Sequence, residues 1–310
     1  MALDADTLLD RMQLKQQVSK WRTLAIVIAA LAAVVIFGKI VDINHLQSSH
    51  IARISIEGVI VEDPEQLELI RDLKEDDSVK AVIVRLDTPG GTVVGGEEFY
   101  LALRDLSEAK PVVAVMKTIC TSAGYMTALG TDYLIAREGT ITGSIGVIMQ
   151  SLEFTKLAKD FGITPVTIKS GENKAVPNPL EPLDATQRKM AQAVVNDFFE
   201  FFLDLVAERR GLNDEEMDNL VDGRIFTGHQ AMEAKLIDEI GGEDEAVAWL
   251  VKQREIGEDL EIRDAKPKQD IESFMGQFEE LAKESIFSIQ NLSVTLDGLV
   301  SIWQPALQHK

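Results

Sequence analysis

The chain has 310 residues, of which 45% are apolar, so it is long enough to bury a sizeable core. Its formal net charge of −20 argues against a nucleic-acid or anionic-lipid partner, because both partners need clustered Lys and Arg side chains. A single cysteine and four scattered histidines exclude a disulfide framework, and they predict neither a metal site nor a bound cofactor.

The first element in chain order is an apolar segment at residues 23–41, TLAIVIAALAAVVIFGKIV, whose only charge is Lys39. Its length nearly matches a bilayer core of about 30 Å and predicts a transmembrane anchor. The preceding residues 1–22 carry several cations and Asp42 follows, so the N-terminus is expected in the cytoplasm and the rest of the chain on the outer side of the cell membrane. A cleaved signal peptide is the alternative, but the apolar run is long for one and no clear cleavage site follows it.

Apolar strand-like runs then alternate with amphipathic helical runs. We predict strands at residues 54–60, 81–86, 111–116, 133–136 and 166–168, and helices at residues 64–73, at residues 97–106 and from about Ser122. The connections are long enough to cross over a sheet. This order predicts an α/β fold with a largely parallel sheet.

The pattern becomes mainly helical after Pro182. Helices are predicted at residues 185–209, 214–220, 229–235 and 243–254. We therefore assign one globular domain to residues 50–254, and a linker with an amphipathic tail to residues 255–310. The tail either packs on its own subunit or contacts the membrane or another subunit, and the sequence leaves both open.

The motif DTPGG at residues 87–91 directly follows a buried strand. Paired glycines let the backbone adopt positive φ and bring N–H groups close to a ligand. The ends of strands are where α/β sheets place their sites. Taken alone, the motif is more often the pattern of a simple turn.

A second motif, TSAGY, places Ser122 between a buried strand and a helix rich in small residues. Free N–H groups at the start of a helix favour developing negative charge beside a serine hydroxyl. An ordinary N-cap serine has the same pattern. Cys120 is an alternative nucleophile, but it precedes the turn and is predicted to be a small buried residue.

A third motif, IKSGENK, contains Lys169 and Lys174. A candidate serine without a convincing histidine needs another base, and a desolvated lysine can serve. Such a lysine requires a pKa lowered from about 10.4 towards neutrality by burial or by cationic neighbours. An exposed loop is the alternative interpretation of the motif.

Six motifs occur in order within residues 50–250: DTPGG, TSAGY, TGSIGVIM, IKSGENK, DGRIFTGHQA and LIDEIGG. This series resembles the bacterial and archaeal signal peptide peptidases that use a Ser-Lys dyad, relatives of the Clp-protease and crotonase fold. The resemblance implies a Clp/crotonase-like core and a membrane-anchored serine endopeptidase that cleaves apolar peptides such as remnant signal peptides. It also implies a homo-oligomeric ring in which neighbouring subunits contribute the serine and the lysine.

Carried over residue by residue, the resemblance makes Ser122 the nucleophile and Lys174 the general base. Ser144 would hold the lysine amine. The N–H groups of Gly91 and of Ser122 itself would form the oxyanion hole. Gly90 is the alternative to Gly91 as the glycine donor. No metal ion is implied.

The sequence departs from the family pattern at two positions. Ala123 stands where the family usually has glycine, and Lys235 replaces a common glycine before LIDEIGG. Lys169 matches a family position that is not the base.

Two other functions are alternatives. An acyl-CoA hydratase or isomerase on the same fold would give Ser122 and Lys174 no role, and the predicted anchor argues against it. A catalytically silent membrane scaffold or quality-control partner would not need Ser122, Ser144 and Lys174 together.

Overall fold

The structure is a computed structural model that describes residues 48–220 and 222–267, and the backbone of residues 300–302. The described residues from His50 onward belong to one compact unit. The predicted cytoplasmic segment 1–22 and the predicted anchor 23–41 lie outside the described residues, so both stay predictions. Within the described ranges, none of the helices is long and apolar enough to cross a bilayer.

The described residues form nine strands and eight helices. The strands are β1 (His50–Ile60), β2 (Val79–Thr92), β3 (Val112–Thr121), β4 (Tyr133–Ala136), β5 (Ile141–Gly143), β6 (Ile225–Thr227), β7 (Glu239–Ile240), β8 (Glu261–Asp264) and β9 (Val300–Ile302). The helices are α1 (Pro64–Glu75), α2 (Val93–Ala109), α3 (Ala123–Ala128), α4 (Thr155–Asp160), α5 (Ala185–Arg210), α6 (Asp214–Asp218), α7 (Gly228–Glu233) and α8 (Glu243–Arg254).

All nine strands join one sheet, whose main order is β6-β5-β3-β2-β1-β8. The pairs along it are parallel except β5 with β6, and β9 adds to β2 in antiparallel orientation. Strand β3 pairs with β4 along its first half and with β5 along its last three residues. The mixed α/β architecture with a largely parallel sheet, predicted from the sequence, is confirmed.

Alternating side chains of the central strands supply two cores, one on each face of the sheet. Val82, Val84 and Leu86 of β2 belong to the larger core with α1, α2, α3 and α5. Ala81 and Ile83 belong to the smaller core, where α8 covers the sheet. Because both faces are buried, the strand reads as a continuous apolar run rather than an alternating one.

The predicted helices after Pro182 agree with the observed helices to within two residues at each end. Helix α5 begins with a capping box between Asp184 and Gln187, and it ends where Gly211 adopts a left-handed conformation with φ 61°. Residues 255–310, predicted as a linker with an amphipathic tail, include strand β8 at the edge of the sheet.

The strand predicted at residues 166–168 is wrong. Val166 and Ile168 are 85% and 95% exposed, and their segment lies outside any helix or strand. Within the described residues no strand pairs with this segment, and an apolar run alone does not supply hydrogen-bonding partners for an extended backbone.

Candidate active site

Ser122 occupies the sharp connection between β3, which ends at Thr121, and α3, which begins at Ala123. Its backbone has φ 56° and ψ −123°, a conformation that costs a non-glycine residue about 1–3 kcal/mol. The residue is 1% exposed, and its side chain makes no capping hydrogen bond to α3. Ser122 is therefore not an ordinary N-cap serine, and its strained conformation is typical of a nucleophile on a strand-to-helix turn.

Three hydrogen bonds hold the turn from different sides. The Ser122 N–H donates to the Gly143 carbonyl at 2.9 Å, which ties the turn to the end of β5. The Thr121 hydroxyl donates to the Pro89 carbonyl at 2.9 Å. On the far side of α3, the buried Tyr125 hydroxyl donates to the Leu236 carbonyl at 2.8 Å. These contacts keep the strained conformation of the turn in place.

The DTPGG motif is the last part of β2 and lies against the end of β3. Asp87 Oδ1 accepts a hydrogen bond from the Ile119 N–H at 3.1 Å, and Thr88 is in register with Cys120. Gly90 has φ 109°, and its N–H donates to Thr88 Oγ1 at 3.1 Å. The tertiary structure therefore brings the glycine pair to the same edge of the sheet as Ser122.

Gly91 is required for close packing rather than for an unusual φ. A Cβ atom at this position would lie 1.8 Å from the carbonyl oxygen of Ile60 in β1. Only glycine lets β1 and β2 pair here, since Gly91 and Ile60 are partners in the parallel register.

A cavity of about 410 Å³ is lined by both Ser122 and Ser144. Ser144 also has a positive φ of 52°, and its N–H donates to the Arg224 carbonyl at 2.8 Å. The remaining lining comes from residues 145–148, from α5 and from residues 222–223. A larger cavity of about 570 Å³ follows β1 and is lined by none of the predicted site residues.

The described lining of the Ser122 cavity includes no lysine and no histidine. Its one ionisable residue is Asp222, whose pKa is lowered by the hydrogen bonds from Arg224, the side-chain bond being the largest cause. Arg224 Nε lies 2.8 Å from Asp222 Oδ1, so this carboxylate is already paired. Hence the chain does not place a general base beside its own Ser122 within the described residues.

Lys174 lies in an exposed loop, where its backbone N–H donates to the Gly171 carbonyl at 3.0 Å. Lys169 differs, because its ammonium group forms a hydrogen-bonded ion pair with Glu181. The Lys169 bond lowers the pKa of Glu181. The structure therefore engages Lys169 in its own loop and brings neither lysine into the cavity of the same chain.

Cys120 is completely buried in β3, and burial raises the pKa of its thiol, with a smaller contribution from Asp87. A protonated thiol without access to solvent does not act as a nucleophile. Within the described residues, no cluster of His, Cys, Asp and Glu side chains could hold a metal ion.

The Ser122 N–H, predicted as the second oxyanion donor, is already bonded to Gly143. Ala123, which is not among the donors predicted from the sequence, is the first residue of α3. The N–H of a first helical residue has no intrahelical acceptor. Its position directly after Ser122 is the one signal in the sequence that could have identified it.

A serine on a strained strand-to-helix turn, beside a cavity and a glycine pair, defines a hydrolase-type nucleophile site on an α/β sheet. The family model described as Peptidase family S49 matches residues 104–257. A protein of Synechocystis sp., provisionally named a protease, is 38% identical over 201 residues, which cover 64% of this chain and 72% of that protein.

An Enterococcus faecium protein, provisionally named signal peptide peptidase SppA, is 30% identical over 220 residues. The match covers 66% of this chain and 64% of that protein. Among solved structures, the membrane-bound stomatin-specific protease 1510-N is similar over 71% of this chain and 99% of that chain, with a TM-score of 0.46 and 17% identity. The chain belongs to peptidase family S49, and it is a serine peptidase.

Proposed function

We propose that this protein is a serine endopeptidase of apolar peptides, such as remnant signal peptides, with Ser122 as nucleophile and Lys174 as general base. The observation that carries the proposal is the strained, buried Ser122 beside a cavity that it shares with Ser144. The base would come from the loop of a neighbouring copy of the chain.

The absence of a base from the described lining of the cavity supports a site shared between copies. Lys169 is paired with Glu181, so Lys174 is the lysine of the motif that is available to another copy. On transfer to a dry interface, the Lys174 amine would lose its hydration, which favours the neutral form that a base needs.

The loop that carries Lys174 also carries many exposed apolar side chains. Phe161 is 75% exposed and Ile163 is 59% exposed, and further exposed apolar residues lie along the same segment: Ile148, Leu152, Phe154, Leu157, Val166 and Ile168. Clusters of this kind on a soluble surface are typical of protein interfaces. A head-to-tail contact that uses this segment would generate a ring if the rotation between neighbouring copies closes.

In the proposed mechanism, Ser122 Oγ attacks the peptide carbonyl while neutral Lys174 accepts its proton. Ser144 orients the lysine amine. The oxyanion rests on the N–H groups of Gly91 and Ala123, since the Ser122 N–H is bonded to Gly143. The charged lysine then protonates the leaving amine, and water hydrolyses the acyl-enzyme.

We further propose that the catalytic core is Clp/crotonase-like and that residues 23–41 anchor it in the cell membrane. The catalytic domain would face the outer side and residues 1–22 the cytoplasm. Support comes from the apolar run, whose only charge is Lys39, and from the preceding cations in the sequence. An anchored site at the membrane surface suits apolar peptides released there.

Mass-spectrometric mapping of the cleavage of a synthetic signal peptide tests the reaction. The full-length protein should cleave it, and Ser122→Ala and Lys174→Ala should each lower turnover by at least about 10³-fold. Lys169→Ala is the matched control and should retain activity. Cleavage by purified Lys174→Ala at the wild-type rate would refute the dyad.

Mixing two inactive variants tests whether the dyad crosses between copies. When Ser122→Ala and Lys174→Ala subunits are co-assembled at equal ratio, about a quarter of the shared sites should contain both functional residues, since a heterologous interface pairs one serine with one neighbouring lysine. Activity should return to about a quarter of the wild-type value. No recovery in a verified mixed assembly would refute the shared site.

A further inference from the structure

Strand β9, from the C-terminal tail, pairs with the glycine end of β2. The antiparallel register joins Gly90 with Ile302, Gly91 with Ser301 and Thr92 with Val300. Strand β1 pairs with the other edge of the same glycines. Because a strand has two edges, β9 must occupy the edge that faces β3.

That edge of β2 is open because β3 has already turned away. The last β2–β3 partners are Thr88 and Cys120, and Ser122 makes its turn two residues later. Neighbouring strands lie about 4.8 Å apart. An extended chain that pairs with residues 90–92 therefore lies next to β2 in the position that β3 has left. It runs past the Ser122 turn.

We propose that the C-terminal segment Val300–Ile302 is an internal strand that occludes the peptide-binding edge of this site. The inference rests on the proposed function, because it assigns this edge to the peptide substrate. Strand addition is a common mode of peptide recognition, in which main-chain hydrogen bonds supply affinity whatever the side chains are. The tail and an extended substrate would therefore compete for the same edge of residues 90–92.

Competition by a tethered strand has a defined kinetic effect. A tail that is docked for about 90% of the time raises the apparent KM for a peptide about ten-fold, because only the undocked fraction can bind substrate. Once the substrate is bound the tail is displaced, so kcat is unchanged. The tail would thus restrict cleavage to peptides that are abundant or that bind the edge tightly.

The full-length variant Val300→Pro/Ser301→Pro tests the competition. Successive N–H groups of a strand point to opposite sides, so two consecutive prolines remove whichever N–H faces β2. The matched control, Val300→Ala/Ser301→Ala, keeps both N–H groups. On a short apolar peptide the proline variant should show a KM about ten-fold lower than the control, with equal kcat. Equal KM values for the two variants would overturn the proposal.

A disulfide tests the placement of the tail without any need for activity. Thr92 and Val300 are register partners, and directly opposed residues in antiparallel strands lie within the Cα–Cα range that a disulfide spans. In the Ser122→Ala background, Thr92→Cys/Val300→Cys should form a crosslink at monomer mass under mild oxidation. Thr92→Cys alone is the control for reaction with the native Cys120.

The outcomes separate the inference from the function on which it rests. No crosslink would overturn the placement of the tail, and a crosslink at dimer mass would overturn its assignment to the same chain. With Ser122 restored, oxidation of the double-cysteine variant should abolish peptide cleavage, and reduction should restore it. A crosslink at monomer mass in a protein that cleaves no peptide in any variant would support the placement and refute the peptidase function.

Discussion

Replacing Gly91 with alanine places a methyl group inside the contact between β1 and β2. The new Cβ atom would lie 1.8 Å from the carbonyl oxygen of Ile60, 2.5 Å from its carbonyl carbon and 2.7 Å from its Cα. All three are main-chain atoms of a paired strand, so no side-chain rotation relieves the contact. The two strands must separate locally by more than about 1 Å before the shortest of these distances reaches an allowed value.

The cost of this separation affects stability and activity differently. Overpacking of this kind costs about 1–3 kcal/mol, which corresponds to a fall in Tm of roughly 3–10 °C for a domain of this size. Gly91 is the proposed oxyanion donor, and displacing such a donor by about 1 Å or more would lower the rate about 10²-fold or more. We therefore expect Gly91→Ala to remain folded and to lose most of its activity.

The assay combines thermal unfolding by circular dichroism with the rate of Ser122 labelling by a fluorophosphonate probe. Gly139→Ala is the matched control, since a Cβ atom at Gly139 has no heavy atom within 4 Å. If Gly91→Ala shows the Tm and the labelling rate of Gly139→Ala, then Gly91 is neither tightly packed nor part of the oxyanion hole, and the reasoning fails.

Three further predictions follow from buried groups around the site. Thr121→Val leaves the Pro89 carbonyl without the hydroxyl that donates to it. We expect the free energy of unfolding in urea to fall by about 1–3 kcal/mol and fluorophosphonate labelling to slow. Unchanged labelling would show that this bond does not position the turn. Tyr125→Phe removes the donor to the Leu236 carbonyl and should cost a similar 1–3 kcal/mol, and an unchanged unfolding midpoint would contradict the buried bond. Cys120 should resist a thiol reagent at pH 8 in the folded protein and react at once in guanidinium, because burial both shields the thiol and raises its pKa; rapid reaction of the folded protein would contradict this placement.

The local pattern of side chains predicted where the longer strands and helices lie. Apolar runs such as residues 81–86 serve both faces of the sheet, and the pattern after Pro182 set the helix ends to within two residues. The strand predicted at residues 166–168 failed because strand formation needs a partner, which a local pattern does not reveal. Ser122 and Gly91 were selected by the resemblance of the motif series to a known family, since the local pattern alone fits an N-cap serine and a simple turn at least as well.

What only the tertiary structure decided are the contacts between residues that are distant in the chain. The Ser122 N–H bonds to Gly143, Asp222 enters the cavity beside Ser122, and Lys174 stays outside it. The tail strand at Val300 reaches β2, about two hundred residues earlier in the chain. Each backbone N–H is a single donor, so an N–H that the fold pairs with a carbonyl is not free to stabilise an oxyanion. The sequence shows which donors are present, but their acceptors depend on contacts between residues that are far apart in the chain.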